Sequence, residues 1–425
     1  MKEQQRDDRP ALPETRRHSF RNKTMLVAII SFFLTAAFLF STWNTIASVI
    51  PHITHITHSK PAPLAVHTRW QPSLPRLNMK LIIQGIHDEQ LASQIDRLLT
   101  TRMKQKGFSG SVLIARDNRV ILSKGYSMTS WSRKQANTPH TRFYLGSTTK
   151  QFTAMAILIL QQQGKLNVHD SICMYISPCP QTWQPVTIHE ILTHTSGISG
   201  AITDSSLSQA SPKAWVSSLS AFALTSNPGS QFSYCNVCYQ LLGYVVERAS
   251  GKSYSDFLQQ AIFDPLQMKN TGFNPHYAST PDHADGYDAW QDANDLSAWN
   301  LSPEWTFLFG AGLLYSTVED MYLWDQALMH PTFVSQKTLS EAFTPYTASQ
   351  YAGSKYGYGW FLAQSPVPGH RLIWHDGKIP GFRTYNAFYP QDGVTLVVLS
   401  NLAALDEIAL AGEIQNVLFA HPKTH

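Results

Sequence analysis

RLIWHDGKIPGFRTYNAFYPQDGVTLVVLSNL, residues 371–402, is the stretch on which the fold depends. It holds three runs rich in β-branched and aromatic residues, separated by a Gly381-Phe382 turn and by Pro390-Gln391-Asp392-Gly393. Runs of that kind between turn signals read as strands. Far upstream, FSGSVLIARDNRVILSKGYS (108–127) carries two more around Arg116-Asp117-Asn118, a hairpin signal. Just before it, DEQLASQIDRLLTTRMKQKG (88–107) sets Leu91, Ile95, Leu98, Leu99 and Met103 on one helical face, with Gly107 as the stop. ALDEIALAGEIQNVLFA (404–420) is helical again.

Between these ends helix and loop dominate. VTIHEILTHTSG (186–197) opens with Thr187 and Glu190 at capping-box spacing, and GAGLLYSTVEDMYLWDQAL (310–328) offers the same device with Ser316 and Glu319. NPGSQFSYCNVCYQLLGYVVERASG (227–251) runs from a Pro-Gly turn through a short extended piece into an amphipathic helix. There is no internal repeat. The pattern predicts one α+β unit, an α/β sandwich. In it, N- and C-terminal strands share an antiparallel sheet around an inserted, mainly helical region.

A chain of 425 residues with 43% hydrophobic and 15% charged residues can bury a substantial core. The net charge is +4, and seven Lys and Arg residues precede residue 24, so the remainder is close to neutral. No basic stripe suggests a nucleic-acid partner. Residues 1–23 read as a basic cytoplasmic tail. No Lys, Arg, Asp or Glu lies between Lys23 and Lys60, and about 20 apolar residues cross a bilayer, so 24–46 is a transmembrane candidate. The cationic flank on its N-terminal side predicts a single-pass protein of the cell membrane with its large C-terminal part extracytoplasmic. The apolar core is longer than a signal peptide's and the exit STWNTIASV is a weak cleavage site, which favours an uncleaved anchor. Residues 47–87, rich in Pro and His, read as a linker, and His52, His55 and His58 as solvated rather than metal-binding. The folded domain is expected over 88–425.

Cys173, Cys179, Cys235 and Cys238 allow three pairings. Their spacing, one CxxC and one Cx5C, does not match a zinc ribbon. A local Cys173–Cys179 bridge is expected, with Cys235 and Cys238 as free thiols at a helix start.

The chemistry begins in FYLGSTTKQFTAMAIL (143–158), which contains the only SxxK of the chain, Ser147 and Lys150. If a helix begins near Ser147, residues three apart share a face and the amine reaches the hydroxyl. A serine hydroxyl becomes a good nucleophile when a base takes its proton. Lys150 can serve near neutral pH only if desolvation or a nearby cation lowers its pKa. The plain alternative is a helix-capping serine and a solvated lysine. The second element is Tyr234-Cys235-Asn236, the only YxN of the chain. A tyrosine whose pKa is lowered by cations can act as general base, and an amide two residues on could bind a substrate carbonyl. The alternative is a buried tyrosine beside a capping asparagine. The third element is His375-Asp376-Gly377, on a strand where glycine permits close approach of a ligand.

Together these elements resemble the serine β-lactamase and penicillin-binding-protein superfamily. The likeness is greatest to the branch of class C β-lactamases, D-alanyl-D-alanine carboxypeptidases and esterases. It runs from about Asp88 to about Ala420 and includes KLNVHDSICMYI, ILTHTSGI, IFDPLQMKNTGF and YGYGWFL. The resemblance implies Ser147 as the acylated nucleophile, Lys150 as its partner, and Tyr234 as base and proton shuttle. It also implies Asn236, His375 and Gly377 as substrate contacts, and an oxyanion hole of the Ser147 and Lys378 backbone N–H groups. It implies no metal or organic cofactor. His194, in ILTHTSGI, reads as structural.

Two departures stand out. His375 and Gly377 match the His-x-Gly common in the carboxypeptidase-like and esterase members, but where β-lactamases place Lys-Thr this chain has His375 and Asp376. An aspartate there would repel a substrate carboxylate unless it points away or Lys378 offsets it. Cys235 stands where Ser or Ala is usual. The expectation is therefore a membrane-anchored serine hydrolase acting through an acyl-enzyme on a small-molecule or peptide substrate, including cell-wall peptides. Its type would be a carboxypeptidase or β-lactamase-like amidase, or alternatively an esterase on small acyl esters. A non-catalytic binding module of the same fold is the alternative outside enzymes. His375 is expected to titrate not far from neutral pH.

Overall fold

The computed structural model describes residues 89–199, 223–273, 277–289, 298–299, 309–331 and 333–420. The tail, the transmembrane candidate 24–46, the linker with His52, His55 and His58, and Asp88 lie outside the described residues. Among the described residues no helix is long and apolar enough to cross a membrane.

The first helix, α1 (Glu89–Lys104), buries Leu91, Ile95 and Leu99, one face at fourfold spacing. Strands β1 (Gly110–Arg116) and β2 (Arg119–Tyr126) follow. Asp117 and Asn118 between them have φ of 49° and 61°, as a tight hairpin turn requires. Six more strands come from the C-terminal third: β3 (Thr347–Ala348), β4 (Lys355–Tyr356), β5 (Phe361–Gln364), β6 (Arg371–Ile379), β7 (Phe382–Tyr389) and β8 (Val394–Ser400). All eight form one antiparallel sheet in the order β3-β4-β5-β6-β7-β8-β1-β2. The join is β8 with β1, from Gly110↔Ser400 to Arg116↔Val394. Strands from both ends of the chain thus share the sheet, as expected.

Every residue of β8 is buried, because both faces of the sheet are covered. Leu396 and Val398 join α1 and the C-terminal helix in one core, with Leu99, Leu410 and Ile414. Val397 and Leu399 join the inserted helical region in the other, with Phe152, Met155 and Trp324. That region contains α2 (Thr149–Gln162), α3 (Asn236–Ser250) and α4 (Val318–Met329). The C-terminal helix is α5 (Glu407–Ala420). Residues 149–160 of α2 are all buried, so this is a central helix, polar in its first turns at Thr149, Lys150, Gln151 and Thr153 and apolar beyond them.

Two local expectations need correction. The capping box at Thr187 and Glu190 is present, but α4 is capped one residue later than expected, by Thr317 accepting from the Asp320 N–H. Thr317 is the residue with extended backbone there, and Ser316 belongs to a short strand. Cys235 and Cys238 are not free: they form a disulfide, as do Cys173 and Cys179. Cys235 caps α3, which brings residues three apart together across its first turn.

Candidate active site

Ser147 lies in a single 3₁₀ turn, Gly146–Thr148, immediately before α2. The turn is pressed onto β6. Gly146 has φ of 54°, and a Cβ on it would come within 2.8 Å of the Lys378 backbone nitrogen. A Cβ on Gly377 would fall 2.0 Å from the Leu145 carbonyl oxygen and 2.2 Å from Thr384 Oγ1. Thr384 Oγ1 donates to that same carbonyl at 2.8 Å. Glycine at 377 therefore lets strand and turn touch, which sets the Lys378 N–H beside the chain leading into Ser147.

Lys150, the second residue of α2 and one turn past the half-buried Ser147, is fully buried. Its Nζ contacts Ser147 Oγ at 3.0 Å, Asn236 Oδ1 at 2.8 Å and the Ala311 carbonyl oxygen at 2.9 Å. Burial lowers its pKa to about 7, against a smaller upward pull from Asp376. The fall in pKa that the sequence demanded is present, and desolvation is its cause. Asn236, the first residue of α3, is exposed, so its amide faces both Lys150 and solvent.

Tyr234 lies two residues before Asn236, with Lys150 Nζ 4.9 Å from its ring centroid. It is half-buried, and Ser147 is its hydrogen-bonding neighbour. Burial nonetheless pushes its pKa well above the ordinary range, and Ser147 only tempers this. The expectation of a tyrosine lowered by cations is not met. A lysine that is half neutral at pH 7 supplies little charge to hold a phenolate.

His375 is fully buried. Its Nδ1 donates to the Asp376 carbonyl oxygen at 2.6 Å, so Nε2 is left to accept from the Tyr356 hydroxyl at 3.3 Å. Burial first, then Lys150, lowers its pKa to about 4, with Asp376 opposing. The expectation that it titrates near neutral pH is thus corrected. No water reaches the ring to solvate an imidazolium.

Side-chain alternation along β6 resolves the position of Asp376. His375 pairs with Asn386, whose amide donates to Asp325 of α4, and Asp376 pairs with Tyr385, whose hydroxyl accepts from Gln415 of α5. Asp376 therefore lies on the face away from Ser147. There it accepts from the Tyr351 hydroxyl at 3.0 Å and sits 3.6 Å from Lys378 Nζ. Lys378 turns its side chain to the same face, 3.1 Å from Glu407. Only its backbone is near Ser147.

The structure thus brings Ser147, Lys150, Tyr234, Asn236 and the β6 segment 375–378 to one place. Sequence reading missed the Ala311 carbonyl, a backbone acceptor with no sequence signal, and the tyrosines 356 and 239 behind the site. Among the described residues no group of three or more His, Cys, Asp or Glu could hold a metal.

The family model described as Beta-lactamase matches residues 95–418. A Bacillus subtilis protein named "Putative penicillin-binding protein PbpX" is 30% identical over 333 residues, covering 78% of this chain and 80% of that protein. The structure of an octameric penicillin-binding protein homologue from Pyrococcus abyssi superposes with a TM-score of 0.67 at 26% identity, over 77% of each chain. A class C beta-lactamase shares the fold, with a TM-score of 0.69 at 20% identity over 81% of this chain and 99% of that one.

Proposed function

The chain belongs to the Beta-lactamase family, and from that premise we propose that Ser147 is the nucleophile of an acyl-transfer hydrolase with Lys150 as its base. One observation carries this. Of the three partners of Lys150 Nζ, Asn236 Oδ1 and the Ala311 carbonyl oxygen can only accept. A neutral amine has two N–H bonds, which those acceptors use, so its lone pair is left facing Ser147 Oγ. With a pKa of about 7, that neutral form is half populated at pH 7.

In the proposed sequence Lys150 takes the Ser147 proton as Oγ attacks the acyl carbon. The backbone N–H groups of Ser147 and Lys378 donate to the developing oxyanion. Lys150, now an ammonium with three acceptors around it, returns a proton through the neutral Tyr234 phenol to the leaving group. The bond to that group breaks and an acyl-enzyme remains. Water then attacks it by the same relay, freeing the acid and Ser147. Tyr234 thus acts as a relay and not as a resting phenolate.

For substrate, a carboxypeptidase or β-lactamase-like amidase on D-alanyl peptides is the reading favoured by the penicillin-binding relatives. With Asp376 turned to the far face, its side chain does not meet a substrate carboxylate directly. An esterase is the second reading, favoured because neither His375 nor Lys378 presents a cation to the Ser147 side. The deciding experiment incubates full-length protein in detergent with penicillin, and separately with short acyl esters, beside Ser147→Ala, and measures intact mass. A penicillin adduct absent from Ser147→Ala supports the amidase. Turnover of esters without a penicillin adduct supports the esterase. Activity retained by Ser147→Ala refutes the nucleophile.

We also place the domain outside the cytoplasm on an uncleaved anchor at 24–46. The charge-free stretch favours a membrane anchor, and two disulfides favour an oxidising compartment. Membrane fractionation with protease digestion of intact cells tests this, and recovery of the chain in the soluble cytosolic fraction would refute it.

A further inference from the structure

His194 has no part in the steps above, yet it grips the segment that carries two of their residues. Its φ is 58°, a left-handed conformation uncommon outside glycine and costly to hold. In that conformation one residue makes two hydrogen bonds, one on each side of Tyr234. Its carbonyl oxygen accepts from the Ser233 N–H at 2.8 Å, and its Nδ1 accepts from the Cys235 N–H at 3.1 Å. The imidazole also lies against the Tyr234 ring, centroids 4.4 Å apart, with Tyr356 at 4.9 Å and Tyr239 at 5.0 Å.

The tautomer follows from these bonds. Because Nδ1 accepts, the ring proton sits on Nε2, which is buried and has no hydrogen-bond partner among the described residues. A buried donor without a partner is unfavourable, and a phenylalanine or leucine would fill the space without one. Packing alone does not explain a histidine here. An acceptor at the Nδ1 position does, since no apolar ring can hold the Cys235 N–H.

We propose that His194 is a positioning residue for acyl transfer: it clamps the peptide on both sides of Tyr234, holding the phenol at Ser147. The inference rests on the reading of Ser147 as nucleophile. His194 touches no reacting atom and acts through Tyr234.

The test compares acylation rate constants of full-length wild type, His194→Phe and His194→Asn, each also in a Tyr234→Phe background, using whichever acyl donor labels Ser147. His194→Phe is expected to acylate on the order of 30-fold more slowly, with donor affinity changed less than about twofold. His194→Asn, whose Oδ1 can accept from the Cys235 N–H, is expected within about threefold of wild type. In the Tyr234→Phe background either substitution should cost less than about twofold, because the residue it acts through is already disabled. Wild-type acylation by His194→Phe overturns the proposal, as does a full additive loss in the Tyr234→Phe background. If His194→Phe does not fold, His194→Asn and its cycle decide alone, and an Asn variant as slow as Tyr234→Phe overturns the clamp. A wild type that forms no Ser147 adduct removes the nucleophile reading itself. An acylated wild type with an unaffected His194→Phe removes only the clamp.

Discussion

Acylation of Ser147 should slow about tenfold for each pH unit below about 7, because only neutral Lys150 can take the proton. The magnitude follows from the site. At pH 7 about half of Lys150 is neutral, and at pH 5 about one part in a hundred, so the rate constant falls roughly fiftyfold between them. The other buried bases do not share this range. His375 is pushed to about 4, and His194 lies well below the ordinary histidine value. The assay is single-turnover acylation from pH 4.5 to 8.5, read by quenched intact mass. Asp376→Asn gives the profile a second arm. Asp376 pulls the Lys150 pKa up, so removing its charge should move the inflection to lower pH. Asparagine keeps an acceptor for the Tyr351 hydroxyl. A rate flat between pH 5 and 8 would refute Lys150 as the base. An inflection that vanishes in His375→Asn but survives Asp376→Asn unmoved would transfer the titration to the histidine.

Three further outcomes are expected. Lys150→Met should abolish acylation yet melt no lower than wild type at pH 6. The folded pKa of about 7 lies below the unfolded value, so the unfolded chain binds more protons between them and stability rises with pH across that window. The buried amine therefore costs stability below pH 7, with a ceiling on the order of 5 kcal/mol, partly offset by its three hydrogen bonds. The advantage of methionine should shrink toward pH 10, and a Tm lowered by several degrees at pH 6 would contradict this. Gly377→Ala should cost about 2–3 kcal/mol by chemical denaturation and at least about a hundredfold in acylation. Its methyl would overlap the Leu145 carbonyl and force β6 off the Ser147 turn. Unchanged acylation would show that the Lys378 N–H is not used. Cys235→Ser with Cys238→Ala keeps a capping oxygen and should lose only about 2 kcal/mol, the loop-closure value for so short a ring. Acylation should stay within about threefold, because His194 holds the Cys235 N–H independently of the sulfurs.

The sheet was legible because its cause is local. Asp117 and Asn118 tolerate positive φ, Pro390 to Gly393 closes the β7–β8 connection, and apolar runs on both sides demand neighbours. That strands from the two ends share one sheet followed from having no other partners for them. The Ser147-Lys150 pairing was legible for the same reason, since helical geometry alone brings i and i+3 together. What escaped depended on position in three dimensions. A Cys-x-x-Cys reads alike as thiols or as a disulfide until the first turn of α3 closes it. The titration of His375 was misjudged because burial, not the residue type, sets it. The Ala311 carbonyl left no trace because every residue has one.

The face of Asp376 is a different case, because it was present in the sequence as simple parity. Alternation along a strand puts residues 375 and 377 on one side and 376 and 378 on the other. If Gly377 must meet the Ser147 turn, Asp376 and Lys378 must both face away, whatever their charges. Asp376 therefore does not meet a substrate carboxylate directly, although its charge still reaches Lys150, and the Lys378 ammonium does not meet one either. Asp376, Lys378 and Glu407 answer one another behind the sheet. On the Ser147 side, β6 offers a neutral imidazole, a glycine and a backbone N–H. Such a strand neither bars nor anchors a substrate carboxylate. Discrimination between an amide and an ester then falls to the reacting centre, where Tyr234 must protonate an amine leaving group but an alkoxide needs that proton less. A Tyr234→Phe variant that loses amide cleavage far more than ester cleavage is what this division of labour requires.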